Sequence, residues 1–247
     1  MAELTANNLQ AFNEDGEKRF LEKAKKRVKK HMGDEYYSCF TDEKIHNFTL
    51  LGIKRARAHN LISEGEIFDY LWLMVKFGAY FDLDVHYHWL YEYIDGDPDN
   101  LMQGKTIHGV DQGRRYLQLI YFSDDVWLER FKRFKKDYKE SNLTILAKLD
   151  RGHLLQAMKS YNPDDSYIIK KEMLEKIYAQ QNPAGLGIQS SASQALWFIL
   201  SVDLGFRFYD NPLYPGIRDI LNSEIDEKEK IIKILDIKIK CLQSKKK

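Results

Sequence analysis

A stretch of this chain returns, without a gap, 127 residues further on. Residues 63–94 read SEGEIFDYLWLMVKFGAYFDLDVHYHWLYEYI and residues 190–221 read SSASQALWFILSVDLGFRFYDNPLYPGIRDIL. Ser63/Ser190, Leu73/Leu200, Val75/Val202, Gly78/Gly205, Phe81/Phe208 and Tyr87/Tyr214 are identical pairs, and Leu71/Phe198, Phe77/Leu204, Asp84/Asn211, Leu90/Ile217 and Ile94/Leu221 are similar ones. A repeated segment constrains a fold more than any single motif, because one supersecondary unit is expected to serve twice and to stack on its copy. The matched positions are capping, glycine and apolar positions. The repeat therefore predicts a scaffold and carries no chemistry.

Helical periodicity runs through the rest. Leu9, Phe12, Phe20, Leu21, Ala24, Val28 and Met32 form an apolar stripe at three- and four-residue steps, with the run KAKKRVKKH on the other face. Thr5 is positioned to cap this helix and Gly33 to end it. Thr41 or Asp42 opens a second helix through Ile45, Phe48, Leu51 and Ala56, which leaves at Asn60. Ser63 and Glu66 form a capping box for a third. After the Asp82–His88 turn, Trp89, Leu90, Tyr93 and Ile94 predict a short fourth helix. Tyr116, Leu117 and Ile120, and then Trp127, Leu128, Phe131 and Phe134, predict two middle helices, the second opened by Ser123 or Asp124. Leu143 to Met158, residues 164–180, 191–204 and 216–221, and a final segment packing Ile231, Ile234, Leu235 and Leu242, complete the chain. No Asn-Gly hairpin signal lies between alternating strands. The expected class is all-α, a helical bundle of two related multi-helix units with bridging helices: 1–99, 100–140 and 141–247.

Composition narrows the function classes. A hydrophobic fraction of 44% supports a core, and a formal net charge of +1 gives no global electrostatic drive toward nucleic acid or an anionic membrane. No apolar run approaches a membrane span, and the polar N-terminus lacks the pattern of a signal peptide. The expectation is a cytoplasmic protein. Its 2 cysteines, Cys39 and Cys241, are too few for a disulfide framework and are expected as reduced, unreactive thiols.

Each candidate chemical motif has a structural counterpart that explains it better. His86 and His88 with Asp82 and Asp84 lack a third reliable metal ligand, and the aligned copy has Leu213 and Pro215 at the histidine positions. Asp82, Asp84 and the Asp95–Asp99 cluster lack the glycine and the terminal Glu of a calcium loop. Glu64/Glu66 and Asp124/Asp125 stand where helix starts attract acids. Gly104-Lys105-Thr106 has Asp99 where a phosphate-binding loop needs its first glycine, so GKTIHGVDQG is expected as a loop. The basic runs 23–31 and 132–139 read as solvated helix faces; RNA binding is the competing reading for them. No cofactor, no metal and no catalytic residue is expected.

The segment GIKRARAHNLISEGEIFDYLWLMVKFGAYFDLDVHYHWLYEYI resembles a pattern in small all-helical accessory proteins of bacterial type VI secretion gene clusters, encoded beside spike (VgrG), PAAR, adaptor and effector genes. The match runs through Gly52, Ile53, Arg55 and Ala56; Asn60, Leu61, Ser63 and Glu64; and Leu71, Leu73, Met74, Gly78, Phe81, Asp82 and Trp89, with Leu9, Phe12 and Phe20 fitting the opening. It covers about the first hundred residues and reaches the second half only through the repeat. Asn60 stands where the pattern has Gly, a substitution that the left-handed conformation tolerates. The resemblance implies a non-enzymatic protein-binding role: an immunity protein that neutralises a cognate toxin effector, or an effector-loading adaptor or co-chaperone.

With 15 Tyr, 13 Phe and 4 Trp the chain is rich in residues favoured at protein contacts. The turns Asp82–Trp89 and Tyr209–Gly216 are where the two copies are free to differ. Asp82, Asp84, Tyr87, Trp89, Tyr209, Asn211 and Tyr214 are accordingly the expected partner-binding residues, within a wider aromatic cluster of Phe81, Tyr91, Tyr93 and Phe208.

Overall fold

The computed structural model describes residues 6–33, 39–94, 105–120, 124–140 and 183–244, and among them there is helix and no strand. The all-α class holds. Helix α1 (Ala6–Met32) buries Phe20, Ala24, Val28 and Met32 and ends at Gly33, as the stripe predicts. In α2 (Asp42–Ala58) the Thr41 hydroxyl accepts from the Lys44 N–H, and Ile45, Phe48, Ile53 and Ala56 face inward. Asn60 leaves that helix at φ 58°, the left-handed exit its side chain tolerates.

Helix α3 (Glu64–Phe77) is the centre of the first half. Its capping box forms in full: the Ser63 Oγ accepts from the Glu66 N–H and the Glu66 carboxylate accepts from the Ser63 N–H. Ile67, Tyr70, Leu71, Trp72, Leu73, Met74 and Phe77 are all buried, on every side of the helix, because α1, α2 and the later helix Lys105–Ile120 surround it. Each such large apolar side chain contributes about 1.5–3 kcal/mol of burial. Gly52 on α2 lets that helix close on α3: a Cβ there would stand 2.3 Å from the Leu71 Cδ2.

The turn after α3 is more ordered than periodicity predicts. Two 3-10 helices, Phe81–Leu83 and Val85–Leu90, precede α4 (Tyr91–Ile94), so α4 begins later than Trp89. Helix α5 (Lys105–Ile120) corrects the expected loop at GKTIHGVDQG from Lys105 onward. Gly109 and Gly113 are spaced by one helical turn and meet Tyr93 and the rings of Phe77 and Trp72. They are contact positions that bring α5 close to α3, not turn formers.

Helix α6 (Asp124–Lys139) buries Leu128, Phe131 and Tyr138 and packs chiefly on the last helix, α9 (Glu227–Ser244). The two middle helices thus attach to different partners, α5 to α3 and α4, α6 to α9. The expected elements of residues 141–182 lie outside the described residues. A 3-10 turn (Pro183–Leu186) leads to α7 (Ser191–Leu204), a 3-10 helix (Phe208–Asp210), α8 (Gly216–Asn222) and α9 (Glu227–Ser244).

The aligned segments share their local structure. Helices α3 and α7 are each 14 residues long, both start from a serine N-cap, both end on a positive-φ glycine, and each is followed by a three-residue 3-10 helix. Beyond these segments the expected pairing of whole units involves residues 141–182, outside the described part.

Cys39 and Cys241 are joined as a disulfide, across 202 residues of sequence, with their Cα atoms 5.3 Å apart. This corrects the expectation of two reduced thiols. Their wide spacing gives no hint that the chain before α2 and the end of α9 come together, and only tertiary packing does so.

Candidate functional site

The most concentrated chemistry lies under the first repeated turn. Arg55 and His59 are four residues apart, one on α2 and one at its C-terminal end, and both reach Asp82 in the first 3-10 helix. Arg55 donates through Nε to Oδ1 at 3.1 Å and through Nη2 to Oδ2 at 2.5 Å, and His59 Nε2 lies 2.8 Å from Oδ2. The Asp82 side chain is only 1% exposed. Burial pushes its carboxyl up, but the hydrogen bonds from His59 and Arg55, with the Arg55 charge, outweigh this and hold it below its ordinary value. Tyr70 packs against Phe81 at 5.0 Å and against His59 at 5.9 Å, and burial drives its phenol far above the usual range.

Tyr80 ties this cluster to the second turn. The guanidinium of Arg55 lies 5.0 Å from its ring centroid and that of Arg207 lies 5.1 Å from it. Its hydroxyl donates to the Asp210 carbonyl at 3.4 Å. Asp210 in turn holds Arg207 at 3.0 and 2.6 Å and also pairs with Arg218, whose guanidinium sits over Tyr209. The alignment places Tyr209, not a carboxylate, opposite Asp82. The acid of the second turn is the next residue, so the two turns reach similar ion clusters from different positions.

The expected partner-binding residues divide by burial. Asp82, Asp84, Tyr87, Asn211 and Tyr214 are interior; Trp89 and Tyr209 are partly accessible. The interior ones hold the turns. The Asp84 N–H donates to the Phe81 carbonyl and its own carbonyl accepts from Tyr87; Asn211 makes the same pair of bonds with Phe208 and Tyr214, and its side-chain oxygen caps the Leu213 N–H at 3.0 Å. Tyr87 packs on Phe77 and Tyr214 on Phe40. Among the described side chains, the large apolar groups that face outward around the first turn are Leu83, 42% exposed, and Tyr91, 40% exposed. Sequence reading singled out neither Leu83 nor the roles of Arg55, His59, Tyr80 and Arg207. The spacing of Arg55 and His59, one helical turn apart, was the available signal.

A second cluster is cationic. His31 of α1 is partly buried, and burial pushes its pKa down to about 4, helped by the charges of Lys76, Arg27, Lys30 and Arg114. Arg27 lies over Phe68 and Arg114 over Trp72, each at 5.4 Å, so both guanidinium groups are held against α3. Nearby, Asp69 accepts from the Thr106 hydroxyl at 3.1 Å, and burial pushes its carboxyl up.

Among the described residues no group of three or more His, Cys, Asp or Glu is placed to hold a metal ion; the side chains of His86 and His88 and residues 95–99 lie outside them. Glu64 pairs with Lys23 of α1, and Glu66 closes the capping box, so this candidate acid pair is occupied in structure. Asp124 and Asp125 open α6. No helix among the described residues is long and apolar enough to cross a membrane. No protein-family model matches the chain, and no curated protein or solved structure is significantly similar to it.

Proposed function

We propose that this chain is a non-enzymatic protein-binding protein of a type VI secretion system, an immunity protein that binds and neutralises a cognate toxin effector. The type VI setting rests on the resemblance of residues 52–94 to accessory proteins of those gene clusters. The structural support is one observation. The turn after α3 presents Leu83 outward and the start of α4 presents Tyr91, with Trp89 partly accessible, from a base fixed by the Arg55–Asp82–His59 cluster. A contact surface held in place before binding loses little conformational entropy on association, and aromatic anchors on such a surface carry most of the binding energy.

The test is co-expression with the toxin encoded beside this gene. An immunity protein restores growth and forms a stable 1:1 complex. Leu83→Asp combined with Tyr91→Ala weakens that complex at least tenfold while the helical circular dichroism is unchanged. A toxin that stays active and unbound in the presence of the protein refutes the reading. A complex that supports secretion of the effector without protecting the producing cell assigns the chain to effector loading instead.

A further inference from the structure

The disulfide is not sealed in the core. It lines a cavity of about 270 Å³ together with Phe40, Leu213, Tyr214, Ile237 and the lysines Lys44 and Lys240. Cys241 is buried, whereas Cys39 is partly accessible. Among the described residues neither lysine enters an ion pair, so two lysines without a carboxylate partner line an apolar cavity whose wall is a disulfide. The volume lies just below the range of ~300–1,000 Å³ common for drug-sized ligands, which suits a small molecule and not a polypeptide.

We infer that the Cys39–Cys241 disulfide is a thiol–disulfide exchange site for a small anionic thiol, with Lys44 and Lys240 drawing that thiol in. The incoming thiolate attacks the sulfur of Cys39, the more exposed of the two cysteines, in line with the disulfide bond. A new sulfur–sulfur bond forms to Cys39, the Cys39–Cys241 bond breaks, and the electron pair leaves on the Cys241 sulfur as a thiolate. Charge is conserved and no other oxidant is consumed. The lysines act twice: they raise the local concentration of an anionic thiol, and they stabilise the departing thiolate, which speeds exchange. Exchange also releases the tie between the chain before α2 and α9. This inference is independent of the partner proposed above.

The experiment uses the full chain purified without reductant. It is treated with glutathione, which is anionic, or with cysteamine, which is cationic, at matched thiolate concentration, quenched with acid and an alkylating agent, and mapped by mass spectrometry. The expected result is a mixed disulfide on Cys39 with Cys241 alkylated, forming about five- to tenfold faster with glutathione. Lys44→Gln with Lys240→Gln removes that preference while leaving the cysteamine rate within about twofold, which separates charge from damage to the fold. Higher salt also narrows the difference. Equal rates for the two thiols, an adduct on Cys241 in place of Cys39, a preference that survives in the double variant, or cysteines that stay free even after incubation with oxidised glutathione each overturn the inference.

Discussion

Gly78 and Gly205 meet backbone to backbone: a Cβ on either would stand 2.7 Å from the Cα of the other. They are aligned positions of the two matched segments, and each ends its helix at a positive φ, 98° and 86°. A Cβ on Gly78 would also meet the Leu204 carbonyl at 2.8 Å, and one on Gly205 the Phe77 carbonyl at 2.5 Å. The obstacles are backbone and cannot swing aside. Gly78→Ala and Gly205→Ala are each expected to destabilise the protein by about 3–5 kcal/mol, through strained φ and collision together. The double variant is expected to cost less than the sum, because once the backbones separate the second methyl meets less. Urea unfolding of the three variants measures this.

Asp82 neutralises a partly buried Arg55 and orients His59. Asp82→Ala strands the guanidinium and is expected to cost about 3–5 kcal/mol, against roughly 1 kcal/mol for His59→Gln, which removes one hydrogen bond only. The folded carboxyl titrates below its ordinary value. The cluster's contribution is therefore fully present above the unfolded carboxyl pKa and lost as pH falls through the folded one. Thermal melts across acid pH, compared between wild type and Asp82→Asn, give the difference. A flat difference curve would contradict the assignment.

Glu227 of α9 caps α7 from outside it. Its carboxylate accepts from the Gln189 N–H at 3.0 Å, the Ser190 N–H at 3.1 Å and the Ser190 hydroxyl at 2.6 Å. Burial pushes this carboxyl up, but the Ser190 and Ser193 hydroxyls and the two backbone donors hold it below its ordinary value. Glu227→Ala is expected to cost about 1–2 kcal/mol and to raise amide exchange in the first turn of α7. Glu66→Ala, which breaks the internal cap of α3, is expected to fray α3 alone. Hydrogen exchange read by helix distinguishes the two.

His31 gives a stability term of the opposite pH sense to a salt-bridged histidine. Its folded pKa is about 4 against an ordinary 6.5. Between those values the unfolded chain takes up a proton that the folded chain refuses, so stability falls as pH drops from about 6.5 to about 4. Replacing His31 with Gln is expected to flatten this slope by about 1–3 kcal/mol over the window, allowing for its partial exposure. Charge reversal at Arg27, Lys30 and Arg114 is expected to raise the His31 pKa, which proton NMR of the imidazole reads directly.

The helices were legible because their signals are local. The stripe of α1, the Thr41 cap of α2, the Ser63–Glu66 box of α3 and the apolar positions of α9 all lie within a few residues of what they specify. The candidate site was legible only in outline. The aligned sequences mark the two turns, but polar and aromatic turn residues read alike whether they point outward or inward. Asp82 turns inward to Arg55 and His59, Asn211 to the Leu213 N–H, Tyr87 to the Phe77 ring and Tyr214 to the Phe40 ring, partners that lie on other elements or appear only once the turn has formed. At residues 105–113, glycines that read as loop punctuation are helix contact points, a distinction that depends on Tyr93, Phe77 and Trp72 lying opposite.

The two serine caps show where sequence stops. Ser63 with Glu66 three residues later determines the start of α3, since one helical turn brings both groups together wherever the helix sits. Ser190 has Ser193 at that position and no carboxylate within reach along the chain; Glu227 arrives from α9, 37 residues on. Local spacing decided the all-α class and the ends of α1, α2 and α3. The meeting of Gly78 with Gly205, of Cys39 with Cys241, and of Arg55 and Arg207 on Tyr80 belongs to tertiary structure alone. Each joins residues far apart in the chain, and only the packing of helices sets the distance between them.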